Sequence, residues 1–274
     1  MKPMRGRVLA IGGSDCGGGA GVQADVKTIT ALDGYAMTAI TAITVQDTRE
    51  VYAVEALEPA LVAAQVAAAL DDIGADAIKI GMLAEAAIVE AVAEVLEAKA
   101  GGAKIVVDPV MVAKGGTTLS GSRAVQRLCA RLLPLATLLT PNVPEAEALG
   151  GAAILGSASA VEAAERLRSF GVQAVLLKGG HFEEPEVVDT LVSDDGIWRW
   201  RAPRTASRHR HGTGCTLASA VATGLAQGMP LPRAIARAHA YVQAAIVSAP
   251  GFGAGHGPLN HAVTLDPARL AALG

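Results

Sequence analysis

Short runs of apolar, β-branched residues alternate along the chain with longer Ala-rich stretches whose apolar positions recur about every 3.6 residues. The first kind of run predicts β-strands at residues 8–11, 39–45, 77–80, 104–107, 138–140 and 174–177. The second kind predicts helices at residues 22–32, 60–72, 84–98, 122–132, 160–170 and 217–225. This alternation predicts an α/β fold, in which a mostly parallel central sheet carries helices on both faces.

One region departs from the alternation. Two β-branched runs, 187–192 and 197–201, flank Asp194-Asp195-Gly196 and predict a hairpin at one edge of the sheet. No linker, composition shift or internal repeat divides the 274 residues. Because α/β folds of this size commonly form one unit, we predict a single domain over residues 1–274.

Polar and glycine-rich segments follow the carboxyl ends of the predicted strands, where parallel sheets bind ligands. These segments are residues 12–19, 46–47, 81–82, 108–116, 141–145 and 178–180. We therefore expect one shared cleft at that edge of the sheet.

Composition narrows the classes of function. A net charge of −3 gives no broad basic surface, which argues against a nucleic-acid partner. Cys16, Cys129 and Cys215 are far apart and resemble the thiols of a reduced, cytoplasmic protein without a disulfide scaffold or zinc site. The uncharged segments 211–232 and 238–265 are interrupted by Gly, Pro, His and Gln, so we expect no membrane span.

The segment from His211 to Cys215 carries the clearest chemical signal. Gly212, Thr213 and Gly214 stand directly before a helix, so backbone N–H groups can converge there on a phosphate. Such a turn also suits the charge of a phosphoryl group in transfer, and Cys215 occupies a position where a carboxylate base might be expected. The alternative is a helix cap with a buried cysteine, and His211 itself is interpreted as structural.

A second glycine-rich segment, residues 12–21, follows the first predicted strand. Its spacing does not match a dinucleotide-binding loop, so a nicotinamide oxidoreductase is a distant alternative, and close approach of a small planar ligand to the backbone is preferred. Asp25 follows one turn into the next helix. It is either a solvated acid or an acceptor for a ligand's amino group and ring.

Asn142 and Glu145 have the spacing of a helix capping box. The functional alternative has Glu145 holding a hydrated Mg²⁺ ion, which takes few carboxylates. Asp108, at a strand end, is a second candidate for the same metal, or else it fixes the turn at Pro109.

Lys178 precedes Gly179 and Gly180 after a buried strand. Its ammonium either extends to solvent or reaches a nucleotide phosphate. Residues 113–118 have the composition of a flap that closes over substrate, with an ordinary exposed loop as the alternative.

In this order, these segments resemble the hydroxymethylpyrimidine/phosphomethylpyrimidine kinases of thiamine biosynthesis, a family of the ribokinase-like superfamily. The resemblance extends from residue 8 to about residue 261, and its motifs are residues 13–27, 46–48, 79–83, 108–111, 140–142, 178–181 and 211–215. It implies a three-layer α/β/α ribokinase-like fold and an expected homodimer. It also implies an ATP- and Mg²⁺-dependent kinase that phosphorylates 4-amino-5-hydroxymethyl-2-methylpyrimidine and then its monophosphate.

The resemblance also assigns roles to the matching residues. The residues implied for the pyrimidine pocket are Gly13, Asp25, Gln46, Met82 and Val110. Those implied for ATP and its metal are Asn142, Glu145, Lys178 and Gly180. The implied anion hole comprises Gly212, Thr213 and Gly214, with Cys215 beside the substrate's hydroxymethyl group.

Cys215 suggests a hypothesis about the two acceptors. Sugar kinases of the superfamily usually carry aspartate here, but a monophosphate acceptor is already ionised, with a second pKa near 6, and needs no base. A carboxylate ~4 Å from it would cost around 4 kcal/mol per unit charge at an effective dielectric of 20. We expect the thiol to avoid that repulsion and still to ionise for the first step, because helix N-termini lower cysteine pKa values.

Two alternatives to the pyrimidine kinase remain. Some relatives phosphorylate pyridoxal, and those that trap its aldehyde use an additional lid cysteine, where this chain has Ala113. A non-catalytic ligand-binding protein could also keep the fold, although intact Cys215, Lys178 and Glu145 argue against it.

Overall fold

The computed structural model describes residues 6–111, 121–182, 184, 186–205, 207–266 and 268. Its strands are β1 (Arg7–Asp15), β2 (Tyr35–Gln46), β3 (Val51–Ala56), β4 (Ala77–Ile80), β5 (Lys104–Val107), β6 (Leu138–Leu139), β7 (Ala174–Leu177), β8 (Glu186–Ser193) and β9 (Gly196–Pro203). Its α-helices are α1 (Gly21–Ala31), α2 (Pro59–Asp72), α3 (Ala86–Lys99), α4 (Ser122–Arg127), α5 (Val143–Gly150), α6 (Ala160–Arg168), α7 (Thr213–Ala226) and α8 (Leu231–Val247).

All these strands form one sheet, in the order β3-β2-β1-β4-β5-β6-β7-β8-β9. The central six strands, from β2 to β7, pair in parallel. At one edge β3 runs antiparallel to β2, and at the other β8 and β9 form an antiparallel hairpin against β7. The expected mostly parallel sheet with an edge hairpin is confirmed.

Alternation along the strands divides the core between two faces of the sheet. In β1, Leu9 and Ile11 join the cluster under α2–α6, whereas Val8 and Ala10 join the cluster under α1, α7 and α8. Successive strand side chains point to opposite faces, so a strand covered on both sides is apolar throughout. The predicted three-layer α/β/α arrangement is confirmed.

Two sequence predictions of local structure were wrong. We expected residues 12–19 to form a loop, but β1 continues to Asp15, with a register shift against β2 between Gly12 and Ser14. A Cβ at Gly13 would lie 2.5 Å from the Met82 methyl group, so a larger residue in this strand would displace that side chain. We also did not predict β3, whose side chains are mostly exposed and therefore lack the pattern of a buried strand.

The position of α7 has the greatest consequence for function. This helix packs on β1, β4 and β5, and its first residue, Thr213, lies at the carboxyl ends of those strands. The expected cleft therefore opens at the N-terminus of a buried helix. Within the part of the chain that the structure describes, no helix has the length and apolar character needed to cross a membrane.

Candidate active site

A cavity of about 860 Å³ lies at the carboxyl ends of the parallel strands and extends between α7, α8 and the edge hairpin. It brings together all but one of the residues that the sequence singled out. Those lining it are Gly13, Gln46, Met82, Asp108, Val110, Asn142, Glu145, Lys178, Gly180, Gly212, Thr213, Gly214 and Cys215. The exception is Asp25.

The turn before α7 has the geometry of an anion-binding turn. Gly212 has a φ of 82°, and a Cβ there would overlap the carbonyl oxygen of Gly19, so only glycine fits. Its carbonyl accepts the first helical hydrogen bond, from the Thr216 amide at 2.9 Å. The Gly214 and Cys215 amides lie in the first helical turn, where backbone donors lack a partner within the helix. The role of this turn as an anion hole remains a prediction.

The ionisation expected for Cys215 was wrong. Burial raises the pKa of its thiol to about 11, and Asp25 and Asp108 also raise it, while Lys79 and the Gly21 backbone lower it. Desolvation therefore outweighs the effect of the helix N-terminus. The side chain is a neutral thiol at neutral pH and is not a preformed base.

Lys178, Asp108 and Glu145 form a group that we call the open trio. Lys178 Nζ donates to Asp108 Oδ1 at 3.0 Å and lies 3.9 Å from Glu145 Oε2. Burial lowers the pKa of Lys178, but the two carboxylates raise it further, so the lysine remains charged. A Cβ at Gly214 would lie 3.3 Å from Lys178 Nζ and 3.4 Å from Asp108 Oδ2, which places the trio directly beside the turn.

Both interpretations of Glu145 agree with the geometry. The Asn142 side chain accepts from the Glu145 amide at 2.9 Å, and the Glu145 carboxylate accepts from the Asn142 amide at 2.8 Å, so the capping box is confirmed. Burial raises the pKa of Glu145 to about 7, Asp108 raises it as well, and Lys178 opposes the rise. The trio thus sets two acidic groups against one ammonium at the cavity, and burial keeps a proton on Glu145 to a higher pH than usual.

Asp25 does not line the cavity, contrary to the sequence prediction. Its side chain is fully buried, where Oδ2 accepts from Lys79 Nζ at 2.8 Å and Oδ1 accepts from Ser219 Oγ at 2.7 Å. Both carboxylate oxygens are therefore occupied below the floor of the cavity. We call Asp25, Lys79 and Ser219 the closed network.

Sequence reasoning missed Lys79 as a candidate functional residue, although it lay in a matching motif. It is the one charged residue of β4, between Ala77-Ile78 and Ile80, and it is 1% exposed. The sequence signal that could have identified it was a lysine inside an apolar strand, because a charge buried there requires a partner.

His211 acts structurally, in agreement with its sequence interpretation. Its Nε2 lies 2.9 Å from Asp15 Oδ2, and the same carboxylate accepts from the amides of Gly17, Gly19 and Ala20. Burial opposes ionisation of Asp15, but the His211 hydrogen bond and these backbone donors bring its pKa down to about 2. The glycine-rich loop after β1 is thereby fastened to the turn before α7.

The cavity extends toward α8, where the sequence identified no contact residue. Its wall there combines apolar and polar groups: Val187, Ala202, Pro203, Val242, Ile246, His239 and Gln243. His239 stacks on Trp200, with ring centroids 5.9 Å apart, and its Nε2 lies 3.0 Å from Asp189 Oδ2. Arg208 and Arg210 add positive charge to the same region.

The candidate flap at residues 113–118, with Ala113, lies outside the described residues. Among the residues that are described, no group of three or more His, Cys, Asp or Glu side chains could hold a metal ion.

The chain is similar to known kinases both in sequence and in fold. The family model for phosphomethylpyrimidine kinase matches residues 15–260. A thiamine biosynthesis bifunctional protein, ThiED, from Geobacter sulfurreducens is 50% identical over 97% of this chain, which spans 54% of that protein's length. A hydroxymethylpyrimidine/phosphomethylpyrimidine kinase from Rhizobium meliloti is 46% identical over 92% of this chain and 96% of its own.

A solved structure, the ADP complex of Bacillus subtilis pyridoxal kinase, is also similar. It superimposes with a TM-score of 0.88 at 34% identity, covering 96% of this chain and all of the other. The fold is therefore that of an established group of small-molecule kinases.

Proposed function

The chain belongs to the phosphomethylpyrimidine kinase family, and on that premise we propose that it catalyses both phosphorylations of the thiamine pyrimidine. The γ-phosphoryl group of ATP passes first to 4-amino-5-hydroxymethyl-2-methylpyrimidine and then to the resulting monophosphate. The observation that carries this proposal is the single cavity in which the turn at residues 212–215, the open trio and the predicted pyrimidine pocket meet.

The nucleotide is proposed to lie along the α8 side of the cavity, with its phosphates directed at the turn. Lys178 supplies a charged donor, and the Gly214 and Cys215 amides supply neutral donors aimed at the group in transfer. The two amides belong to the first turn of α7, and Lys178 is held by Asp108 and Glu145, so these donors need little reorganisation, which is how an enzyme lowers the energy of a charged transition state.

The acceptor is proposed to occupy the pocket formed by Gly13, Gln46, Met82 and Val110. Absence of a side chain at Gly13 leaves room for the Met82 methyl group and for a flat ring against the backbone. The amide of Gln46, at the end of β2, provides one hydrogen-bond donor pair and one acceptor for an aminopyrimidine.

Asp108 and Glu145 fit a Mg²⁺ ion by the chemistry of their donor set. Mg²⁺ prefers carboxylate oxygen and binds through one or two carboxylates plus substrate phosphates and waters. The pKa of Glu145, raised to about 7 by burial, with Asp108 adding to the rise, marks a place where an added cation would be favourable. Such an ion would neutralise charge on the phosphates, while Lys178 and the turn orient them.

Pyridoxal phosphorylation is the second candidate, because the B. subtilis protein that shares the fold is a pyridoxal kinase. Against it, hydroxymethylpyrimidine/phosphomethylpyrimidine kinases are 39–46% identical to this chain, compared with 34% for that pyridoxal kinase. The lid position at Ala113 carries no cysteine.

Substrate-dependent ADP release tests these alternatives directly. The purified protein is given ATP and Mg²⁺ with the pyrimidine alcohol, its monophosphate or pyridoxal, and the products are identified by mass spectrometry. We expect phosphorylation of the first two at a much higher kcat/KM than pyridoxal. Preferred phosphorylation of pyridoxal would replace the proposal, and no ADP release with any acceptor would favour the non-catalytic alternative.

We also propose a homodimer that works in the cytoplasm. Ile43, Val45 and Tyr52 are 42–57% exposed on the paired strands β2 and β3, and together they offer an apolar contact surface. The cysteines of the chain are free, as in a reducing compartment. Light scattering tests the dimer: Ile43→Asp should halve the mass, and a wild-type monomer would refute it.

A further inference from the structure

The closed network lies under the turn that begins α7 and is tied to the same helix as Cys215. Ser219, four residues after Cys215 on α7, donates its Oγ to Asp25 Oδ1 at 2.7 Å. The other carboxylate oxygen accepts from Lys79 Nζ, and the lysine and aspartate side chains are 1% and 0% exposed. A Cβ at Gly81 would lie only 2.8 Å from Lys79 Nζ, so the ammonium is confined on that side by backbone.

Stability alone does not explain this ion pair. Apolar residues of similar volume often replace a buried pair with no loss, because removing two charges from water is costly. Lys79 also borders the cavity while remaining almost inaccessible to solvent. The position of Lys79 at the border of the cavity therefore calls for a functional explanation.

Lys79 and Cys215 line the same cavity, and four charged groups from four parts of the fold act electrostatically on Cys215. They are Asp25 on α1, Lys79 on β4, Asp108 after β5 and Lys178 after β7. Lys79 is the group that most lowers the pKa of the thiol against the effect of burial, while Asp25 and Asp108 raise that pKa. Burial also opposes the charge on Lys79, but its acidic neighbours keep the ammonium protonated.

We propose that Lys79 is a positioning residue that holds a fixed positive charge beside Cys215 and so stabilises the Cys215 thiolate while the pyrimidine alcohol is phosphorylated. This inference rests on the proposed function. The thiol first gives its proton to solvent. The thiolate then accepts the proton of the hydroxymethyl group as that oxygen bonds to the γ-phosphorus. The bond from the γ-phosphorus to its bridging oxygen breaks, and its electron pair leaves on ADP.

The monophosphate acceptor does not need this assistance. Its second pKa is near 6, so its attacking oxygen carries no proton at neutral pH. Lys79 should therefore matter for the first phosphorylation and much less for the second.

The test uses Lys79→Met combined with Asp25→Asn, because removing only one partner would leave a buried charge unpaired. Cys16→Ser and Cys129→Ser, present in every protein compared, leave Cys215 as the sole thiol. The first readout is the rate of Cys215 alkylation by iodoacetamide between pH 7 and 9. A tenfold rise in this rate for each pH unit identifies the thiolate as the reacting species. We expect alkylation about threefold slower, equivalent to a pKa about half a unit higher, because the variant removes Asp25, which raises this pKa, together with Lys79, which lowers it more.

The second readout is kcat for each acceptor. For the same half-unit shift we expect kcat for the alcohol to fall by about threefold, and kcat for the monophosphate to stay at the parental value. Ser219→Ala is the matched control, because it removes a hydrogen bond from the network without removing a charge. It should alkylate at the parental rate.

Unchanged alkylation in the double variant, or slowing of equal size in Ser219→Ala, would overturn the proposal, as would equal losses for the two acceptors. Alkylation requires no kinase activity, so its result stands even where no ADP is released. Failure of the parental protein to phosphorylate the pyrimidine alcohol would instead overturn the proposed function.

Discussion

Two buried lysine–carboxylate groups border the cavity, and they differ in how their charges balance. In the closed network Lys79 meets one carboxylate, and both side chains are shut off from solvent. In the open trio Lys178 is 15% exposed and faces two carboxylates, Asp108 and Glu145. A balanced, closed pair can only supply a fixed field, whereas an open group with two acidic side chains and one ammonium can bind a cation and, through it, phosphate.

The difference follows from where each lysine stands on its strand. Lys79 is inside β4 and points into the layer of α1, α7 and α8, where α1 supplies Asp25. Lys178 comes directly after β7, at the edge of the sheet where the strands end. Similar residue pairs therefore have different chemical uses because one lies within a strand and the other beyond its end.

The comparison predicts its largest effect for Lys178→Met. Removing the ammonium should lower kcat/KM by about 1000-fold or more for both acceptors, since it deprives the phosphoryl group of its charged donor. Coupled assays of ADP release measure this. Lys99→Met is the matched control, because that lysine pairs with Asp71 on the surface and should change neither activity. A loss smaller than about tenfold would remove Lys178 from the proposed machinery.

The second effect is a dependence of stability on pH that Glu145 causes. Its pKa is raised from 4.5 to about 7, so between these values the folded protein keeps a proton that the unfolded chain has released. The free energy of unfolding should therefore fall as pH rises through this window, by roughly 3 kcal/mol from this group. Denaturant titrations at pH 5 and pH 8 measure the fall. Glu145→Gln should lack this contribution, and identical pH profiles for the two proteins would contradict the prediction.

The third effect concerns the metal. Glu145→Gln keeps an acceptor for the capping box but removes the carboxylate charge, so the Mg²⁺ concentration for half-maximal activity should rise by about tenfold. Titration with Mg²⁺ at saturating ATP measures it. Glu162→Gln, on the exposed face of α6, is the control and should leave the titration unchanged. An unaltered Mg²⁺ requirement in Glu145→Gln would separate Glu145 from the metal.

The sequence predicted the sheet and most of the open trio because strand ends are readable from local pattern. Asp108 and Lys178 each follow an apolar run, and parallel strands bring such positions together. The glycine-rich turn before α7 could be predicted because its glycines stand directly before a helical pattern. These are regions where neighbours in the sequence decide the structure.

The closed network could not be predicted from local sequence pattern. Asp25 and Lys79 are 54 positions apart, and the helical position of Asp25 fitted a solvated acid as well as a ligand contact. The pKa of Cys215 was also misjudged, because a sequence shows the helix N-terminus but not the depth of burial that outweighs it. Tertiary packing determines both the pairing of Asp25 with Lys79 and the pKa of Cys215.

Both proposals place Cys215 at the acceptor, between these two sets of charges, as a thiol that is uncharged except when it ionises for the first phosphorylation. The most direct test of this placement is the rate of each phosphorylation by Cys215→Asp, with Cys215→Ser as the uncharged control. A carboxylate beside the monophosphate dianion should slow the second step about 1000-fold or more relative to the first, in line with around 4 kcal/mol of repulsion per unit charge at ~4 Å. Cys215→Ser should show no such bias against the monophosphate. Equal losses for both acceptors in Cys215→Asp would contradict the account.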